Sequence, residues 1–255
     1  MDELRFIDLE VNDAFTNMAI DEAILLSLKE GKVSPTLRLY RWKPSAVSIG
    51  TFQGMKEEVD IQYCRENGID YIRRITGGGA VYHDYNGEIT YSILLPRGHR
   101  LAPEDILESY KLLCNGIVIG LDKLGIESEF KPINDIVSGG KKISGNAQTR
   151  RHSCVLQHGT ILLDLDVEVM FSILKVPKEK ISDKMIADVK QRVTSIRDLL
   201  HRDVEVEELR AALETGFSEA LNVDLVKDEL TFEEKSTAKR LAKIKYSTDE
   251  WNFSR

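Results

Sequence analysis

The 255-residue chain is short of the features that mark several protein classes. It has only three cysteines, Cys64, Cys114 and Cys154, widely separated and without a CxxC pair or zinc-like Cys/His spacing. That excludes a disulfide scaffold and a structural zinc site. No apolar run approaches the ~20 residues of a membrane span, and the start, MDELRFIDLE, lacks a secretory apolar core. Positive charge is not in excess: 35 Lys and Arg stand against 42 Asp and Glu, a net charge of −7. A general nucleic-acid binder needs a basic face, so that class is excluded, although a local basic pocket for one small anion is not. There is no internal repeat, low-complexity tract or Pro/Gly/Ser-rich linker. The composition, 42% hydrophobic and 30% charged, is that of a soluble globular protein. It predicts a cytoplasmic protein with a single core spanning residues 1–255, without nucleic-acid or membrane partners.

Periodicity supplies the elements. Residues 14–30 carry Phe15, Met18, Ala19, Ala23 and Leu26 at helical spacing, with Asn12 or Asp13 as cap and Gly31 as stop. Residues 36–42 and 45–51 alternate as strands around Lys43-Pro44, and 57–67 reads as a short helix. Strand patterns follow at 69–75, 80–83 and 88–95. A helix starting at Pro103 runs to about Leu124, and strand-like pieces follow at 127–131, 134–137, 141–148 and 153–163. From residue 166 the pattern is helical. Short, hairpin-linked strands with helices around them predict an α+β fold, a mixed and largely antiparallel sheet flanked by helices. Cys64 and Cys114 fall in helical patterns as buried apolar residues.

Three segments carry chemistry. In Arg73-Arg74-Ile75-Thr76-Gly77-Gly78-Gly79-Ala80-Val81-Tyr82-His83-Asp84, three glycines allow positive φ and close approach of backbone amides to an anion. A strand pattern follows them, so they fit neither a P-loop nor a dinucleotide fingerprint, both of which open a helix. The glycines alone fit a plain hairpin equally well. Arg74, His83 and the arginine before them favour a site, since guanidinium forks bind carboxylate or phosphate. In the second segment, Asn134 to Gln148, a Gly-Gly turn delivers Lys141 and Lys142 onto a strand, where alternation sends them to opposite faces. A strand-borne ammonium can stabilise charge developing in acyl transfer, and Asp135 has the hard oxygen donors that suit Mg²⁺. In the third, Leu156, His158 and Thr160 alternate onto one strand face; alone, such a histidine is more often a hydrogen-bonded core residue.

Together and in this order, RRITGGGAVYHD, GGKKISGNAQ and LQHGTILLDLD resemble the lipoate–protein ligase branch of the biotin/lipoate ligase and octanoyltransferase superfamily. The resemblance extends from RFIDLE to DEWNF. It implies a bifurcated ligand pocket and two-step chemistry: lipoate and MgATP form lipoyl-AMP, which a lysine amine attacks. The amine belongs to an apo lipoyl domain, of a 2-oxoacid dehydrogenase acyltransferase component or the glycine-cleavage H protein. It implies Gly77, Gly78 and Gly79 as the acyl-adenylate cradle, with Arg74 and His83 on the ligand. Lys142 is then the catalytic lysine, Asp135 helps hold metal or adenylate, and His158 lines the pocket. Tyr40, Val47 and Ile49 are candidates for the acyl tunnel. Longer ligases continue past the segment resembling EWNF into an accessory domain, so the resemblance implies a separate accessory protein here. The nearest alternative is an octanoyltransferase moving octanoyl from acyl carrier protein. The branch of that activity with this chain organisation carries a nucleophilic cysteine before the lysine strand, where this sequence has none. Cys154, beside Arg151 and His152, is the substitute nucleophile in that reading. A biotin ligase fits less well, because its glycine loop is interrupted by arginines. A non-catalytic carrier-binding module would have no need of Lys142.

Overall fold

The computed structural model describes residues 2–174 and 191–255. Strand β1 (Asp2–Asn12) is followed by helix α1 (Ala14–Lys29), β2 (Thr36–Trp42) and β3 (Ala46–Ile49). Short helices α2 (Met55–Glu58) and α3 (Ile61–Glu66) lead to β4 (Asp70–Arg73), β5 (Val81–His83) and β6 (Glu88–Pro96). Helix α4 (Ile106–Lys123) precedes β7 (Glu129–Lys131), β8 (Asp135–Ser138), β9 (Lys141–Arg151) and β10 (Cys154–Leu162). Next come α5 (Val167–Ile173), α6 (Ile196–Leu200), α7 (Val206–Leu221) and β11 (Val223–Asp228). Helix α8 (Phe232–Leu241), a π-helical turn (Ala242–Tyr246) and α9 (Asp249–Asn252) end the chain.

Eight strands form one sheet in the order β11-β1-β2-β6-β10-β9-β8-β7, parallel only where β1 meets β11 and β2. A second sheet of three strands, β4-β3-β5, carries the glycine segment between β4 and β5. The expected mixed, largely antiparallel α+β architecture is the one observed, but split over two sheets. Central strands β2, β6 and β10 are covered on both faces and buried almost throughout, polar side chains such as Arg38, Ser92 and Gln157 included. On one face Leu37, Leu39, Tyr91 and Ile93 pack against α4 and α7. Phe217 there lies 5.1 Å from Tyr91, ring to ring, and truncating it to alanine costs about 3–5 kcal/mol. On the other face Tyr40, Leu94 and Leu156 meet α1, α8 and the π-helical turn.

Local chemistry decided several boundaries differently from the pattern. Pro103 lies outside α4, because Asp105 caps that helix and its carboxylate accepts the Glu108 N–H at 2.7 Å. The helix expected over 57–67 breaks at Val59, whose extended backbone bridges to Leu174, and Asp60 caps a new helix by accepting from Tyr63 N–H. Strands β1 and β11, which pair in parallel between the two ends of the chain, were not expected. Buried Arg5 of β1 makes a two-pronged pair with Glu234 of α8 at 3.0 and 2.6 Å, tying the first strand to the last long helix. Among the described residues no helix is long and apolar enough to cross a membrane.

Candidate active site

A cavity of about 330 Å³ opens where the two sheets meet. Met18, Tyr40, Trp42, Val81, Leu162 and Met170 contribute apolar walls, and Arg74, His83, Lys142, His158 and Thr160 contribute polar groups. The lining therefore combines apolar walls with two cationic side chains, Arg74 and Lys142. Of the predicted residues, Arg74, Gly78, Gly79, His83, Lys142 and His158 line it. Tyr40 does too, but Val47 and Ile49 point away into the small cluster under β3, so the tunnel reading fails for them.

The glycine segment is held from within. Strand β4 ends at Arg73, whose guanidinium donates to the carbonyls of Gly50, Thr51, Gln53, Trp251 and Asn252. Asn252 returns the grip by accepting the Arg73 N–H at 2.8 Å, and Trp251 Nε1 donates to the Arg73 carbonyl. Helix α9 is thus a clamp on the strand that feeds the loop. Arg74 turns the other way, into the cavity wall. Its donors reach Thr76 Oγ1, the carbonyl and hydroxyl of Ser48, and the carbonyls of Gly77 and Gly79 at 2.8–3.2 Å. None of these partners is a carboxylate. Burial accordingly pulls its pKa down to about 10, and the guanidinium leaves an uncompensated positive field over the slot. Only Gly78 of the three glycines has positive φ, +100°, and a Cβ there would lie 2.8 Å from Arg74 Nη2. Of the three glycines that allow such freedom, Gly78 is the one that uses it.

Lys142 and Asp135 come together across β8 and β9. Lys142 pairs with Val137 in the ladder, and its ammonium lies 2.7 Å from Asp135 Oδ1. Both side chains are partly exposed, so the pair orients the lysine more than it stabilises the fold. Room for this rotamer comes from Gly145, where a Cβ would stand 2.7 Å from both Cε and Nζ of Lys142. Thr194 N–H fixes the Lys142 carbonyl at 2.8 Å. Lys141, as alternation requires, is not on the cavity.

His158 reaches the cavity from β10, with Nε2 2.7 Å from Thr76 Oγ1. Behind its Nδ1, at 3.7 Å, is the fully buried Asp21. Asp21 also accepts from Arg38 and Ser92 at 3.0 and 2.9 Å. Burial opposes its ionisation, but His158, Arg38 and Ser92 together hold the carboxyl below its ordinary range. Burial holds His158 below the usual histidine value, against the pull of Asp21. His83, from β5, contacts Ser48 Oγ through Nε2 at 2.8 Å and Glu88 Oε1 through Nδ1 at 2.7 Å. Ser48, Glu88, Thr76 and Asp21 escaped the sequence reading. An acid inside the apolar run AIDEAILL was the one available signal for Asp21.

All three cysteines are buried, and none lines the cavity. Cys64 and Cys114 are helical core residues, as expected. Cys154 starts β10 with Sγ 3.9 Å from the Leu25 carbonyl. Burial raises its pKa, the reverse of the activation expected from Arg151 and His152.

The model of the "Lipoyl protein ligase A/B catalytic domain" matches residues 13–218. The chain belongs to that family. An octanoyltransferase LipM of Geobacillus kaustophilus is 38% identical over 98% of both chains. Another, of Brevibacillus brevis, is 36% identical over 100% of both. A solved bi-partite lipoate protein ligase of Thermoplasma acidophilum, described with its E2 lipoyl domain, superposes with a TM-score of 0.86 at 35% identity. That match covers 99% of this chain and 96% of the other.

These relatives overturn the ligase expectation. Curated proteins matching the whole chain are named for octanoyl transfer, so ATP-dependent lipoate activation is withdrawn, together with ATP and Mg²⁺. Asp135 is engaged by Lys142, and the described residues contain no group of three His, Cys, Asp or Glu placed to hold an ion. A separate accessory protein finds no support in the curated relatives, which match over 98 and 100% of their own length.

Proposed function

We propose that this chain is an octanoyltransferase. It takes an octanoyl group from a carrier-protein thioester and forms an amide with the ε-amine of one lysine on a lipoyl domain. The single observation that carries this reading is the cavity itself: a largely apolar slot of about 330 Å³ whose lining includes the cations Lys142 and Arg74. An eight-carbon chain suits the slot. Attack on its carbonyl puts negative charge on the acyl oxygen, and preorganised cations stabilise that charge in a water-poor site. In this reading Lys142, oriented by Asp135 and given space by Gly145, faces the acyl oxygen. Gly78 and Gly79 cradle the acyl head, Gly77 lying outside the cavity lining, and Arg74 supplies positive field through the loop it braces. His83 and His158 line the site. Residues 1–255 act as one catalytic domain, in the cytoplasm. The names of the curated relatives support octanoyl as the acyl group.

A lipoyl group is the second acyl candidate, favoured by the lipoylation system named for the Thermoplasma neighbour. The same experiment separates the two. The chain is incubated without ATP, with octanoyl-acyl carrier protein or its lipoyl counterpart, and an apo lipoyl domain is weighed by mass spectrometry. Gain of one octanoyl group is the expected result. An unmodified domain, in a mixture where a known octanoyltransferase modifies it, refutes the reading. Cys154→Ser should leave the rate unchanged, because the thiol lies outside the cavity.

A further inference from the structure

Transfer between two bulky carriers is easier when the acyl group rests on the enzyme between them, yet the cavity offers no thiol. It does offer a hydroxyl. Ser48 sits in β3 between Val47 and Ile49, whose side chains enter the small core, so alternation turns Ser48 to the cavity. Its Oγ is 2.8 Å from His83 Nε2, and His83 Nδ1 is 2.7 Å from Glu88 Oε1. All three residues are buried, with 1, 4 and 1% exposure.

Hydrogen-bond accounting assigns the protons. Arg74 Nη1 also contacts Ser48 Oγ, at 3.1 Å, and a guanidinium can only donate. Glu88 Oε1 is a carboxylate oxygen and can only accept, so the neutral tautomer of His83 that satisfies both contacts carries its hydrogen on Nδ1 and accepts the Ser48 hydroxyl at Nε2. Glu88 Oε1 also accepts from Thr90 Oγ1, which accepts from Trp42 Nε1, and the Trp42 ring stacks on His83 at 4.1 Å. These contacts fix the orientation of the ring, while Glu88 Oε2 is buried without a hydrogen-bond partner. This is the arrangement of a hydroxyl nucleophile, its base and the acid that orients the base.

Resting on the octanoyltransferase reading, we propose that Ser48 carries the octanoyl group as an oxyester, with His83 as general base and Glu88 as the residue that positions it. Ser48 Oγ attacks the thioester carbonyl carbon while its proton passes to His83 Nε2. The C–S bond breaks, and His83 returns that proton to the departing sulfur, freeing the carrier thiol. The neutral lysine amine of the lipoyl domain then attacks the ester carbonyl. One amine proton goes to His83 Nε2, the C–Oγ bond breaks, and the proton returns to Ser48. Arg74 stabilises the oxyanion charge that Ser48 Oγ gathers in each half.

The test stops the reaction halfway, with p-nitrophenyl octanoate or octanoyl-acyl carrier protein and no acceptor. The parent chain should release about one equivalent of p-nitrophenolate in a burst, the kinetic fingerprint of an acyl-enzyme. Tryptic peptide 42–56 should gain an octanoyl group located on Ser48 by fragmentation. Ser48→Ala should abolish the burst. Ser48→Cys should restore an adduct, now cleaved by neutral hydroxylamine, which guards against loss by misfolding. His83→Gln should slow the burst by roughly 10²–10⁴-fold, and Cys154→Ser should not change it. Lipoyl-domain octanoylation with no Ser48 adduct on rapid quenching, or undiminished in Ser48→Ala, overturns the serine intermediate and leaves the proposed activity standing. A Ser48 adduct from the ester with no transfer from acyl carrier protein supports the serine chemistry and overturns the proposed activity. Absence of both adduct and transfer overturns both.

Discussion

Gly145→Ala separates the placement of Lys142 from the stability of the fold. The added methyl would stand 2.7 Å from Lys142 Cε and Nζ, whereas carbon contacts settle at about 3.5–4.0 Å. The ammonium must therefore withdraw by about 1 Å, leaving Asp135. It is free to do so, since the Lys142 side chain is 42% exposed. The lost partly exposed ion pair costs about 0–1 kcal/mol, and replacing a strand glycine returns about 0.5–1 kcal/mol, so stability should hardly change. The rate should respond far more strongly. A misplacement of about 1 Å costs on the order of 100-fold, and removal of a charge-stabilising donor costs about 2.7–4 kcal/mol of barrier. Single-turnover octanoyl transfer should thus fall roughly 100–1,000-fold, with urea-unfolding stability within about 1 kcal/mol of the parent. The double variant with Lys142→Ala should be no slower than Lys142→Ala alone, because both changes remove one interaction. A Gly145→Ala chain transferring within about threefold of the parent rate would refute the role given to Lys142.

Three further outcomes follow from the loop and its supports. Asn252→Ala leaves the buried Arg73 N–H without its acceptor and should cost about 1–3 kcal/mol in urea unfolding, with faster hydrogen exchange across residues 73–79. Gly78→Ala meets both a φ of +100° and a contact 2.8 Å from Arg74, and should cost roughly 1–3 kcal/mol. Gly79→Ala, with open space at that position, should stay within about 0.5 kcal/mol. Stability should also decline as pH falls below 6.5, because burial holds His158 below that ordinary value and the unfolded chain takes up the proton first. His158→Gln should remove this part of the slope, measured as urea stability at pH 7.5 and 5.5. Asp21 does not enter that window, since its lowered pKa affects stability only below 3.8. An unchanged slope in His158→Gln counts against a neutral buried imidazole.

The amino-acid sequence alone was enough to identify the α+β class, the helices over residues 14–29 and 206–221, and the three segments that meet at the cavity. These features rest on local chemistry: side-chain period, capping residues, and glycines where the backbone must bend. Strands β1 and β11 stayed hidden because parallel pairing between residues 2–7 and 223–228 joins opposite ends of the chain, and nothing local records it. The same holds for roles within the site. Arg73 and Arg74 are adjacent in sequence, yet one is clamped by α9 and the other laces the glycine turn. Cys154 looked activated beside Arg151 and His152, until folding placed it under α1 and made ionisation costly. Ser48 and Glu88 belong to no motif, and only the meeting of two sheets brings them to His83. Neighbouring residues in a chain share a period and a set of local hydrogen bonds; which charge is desolvated, and by whom it is partnered, is settled only when distant segments pack.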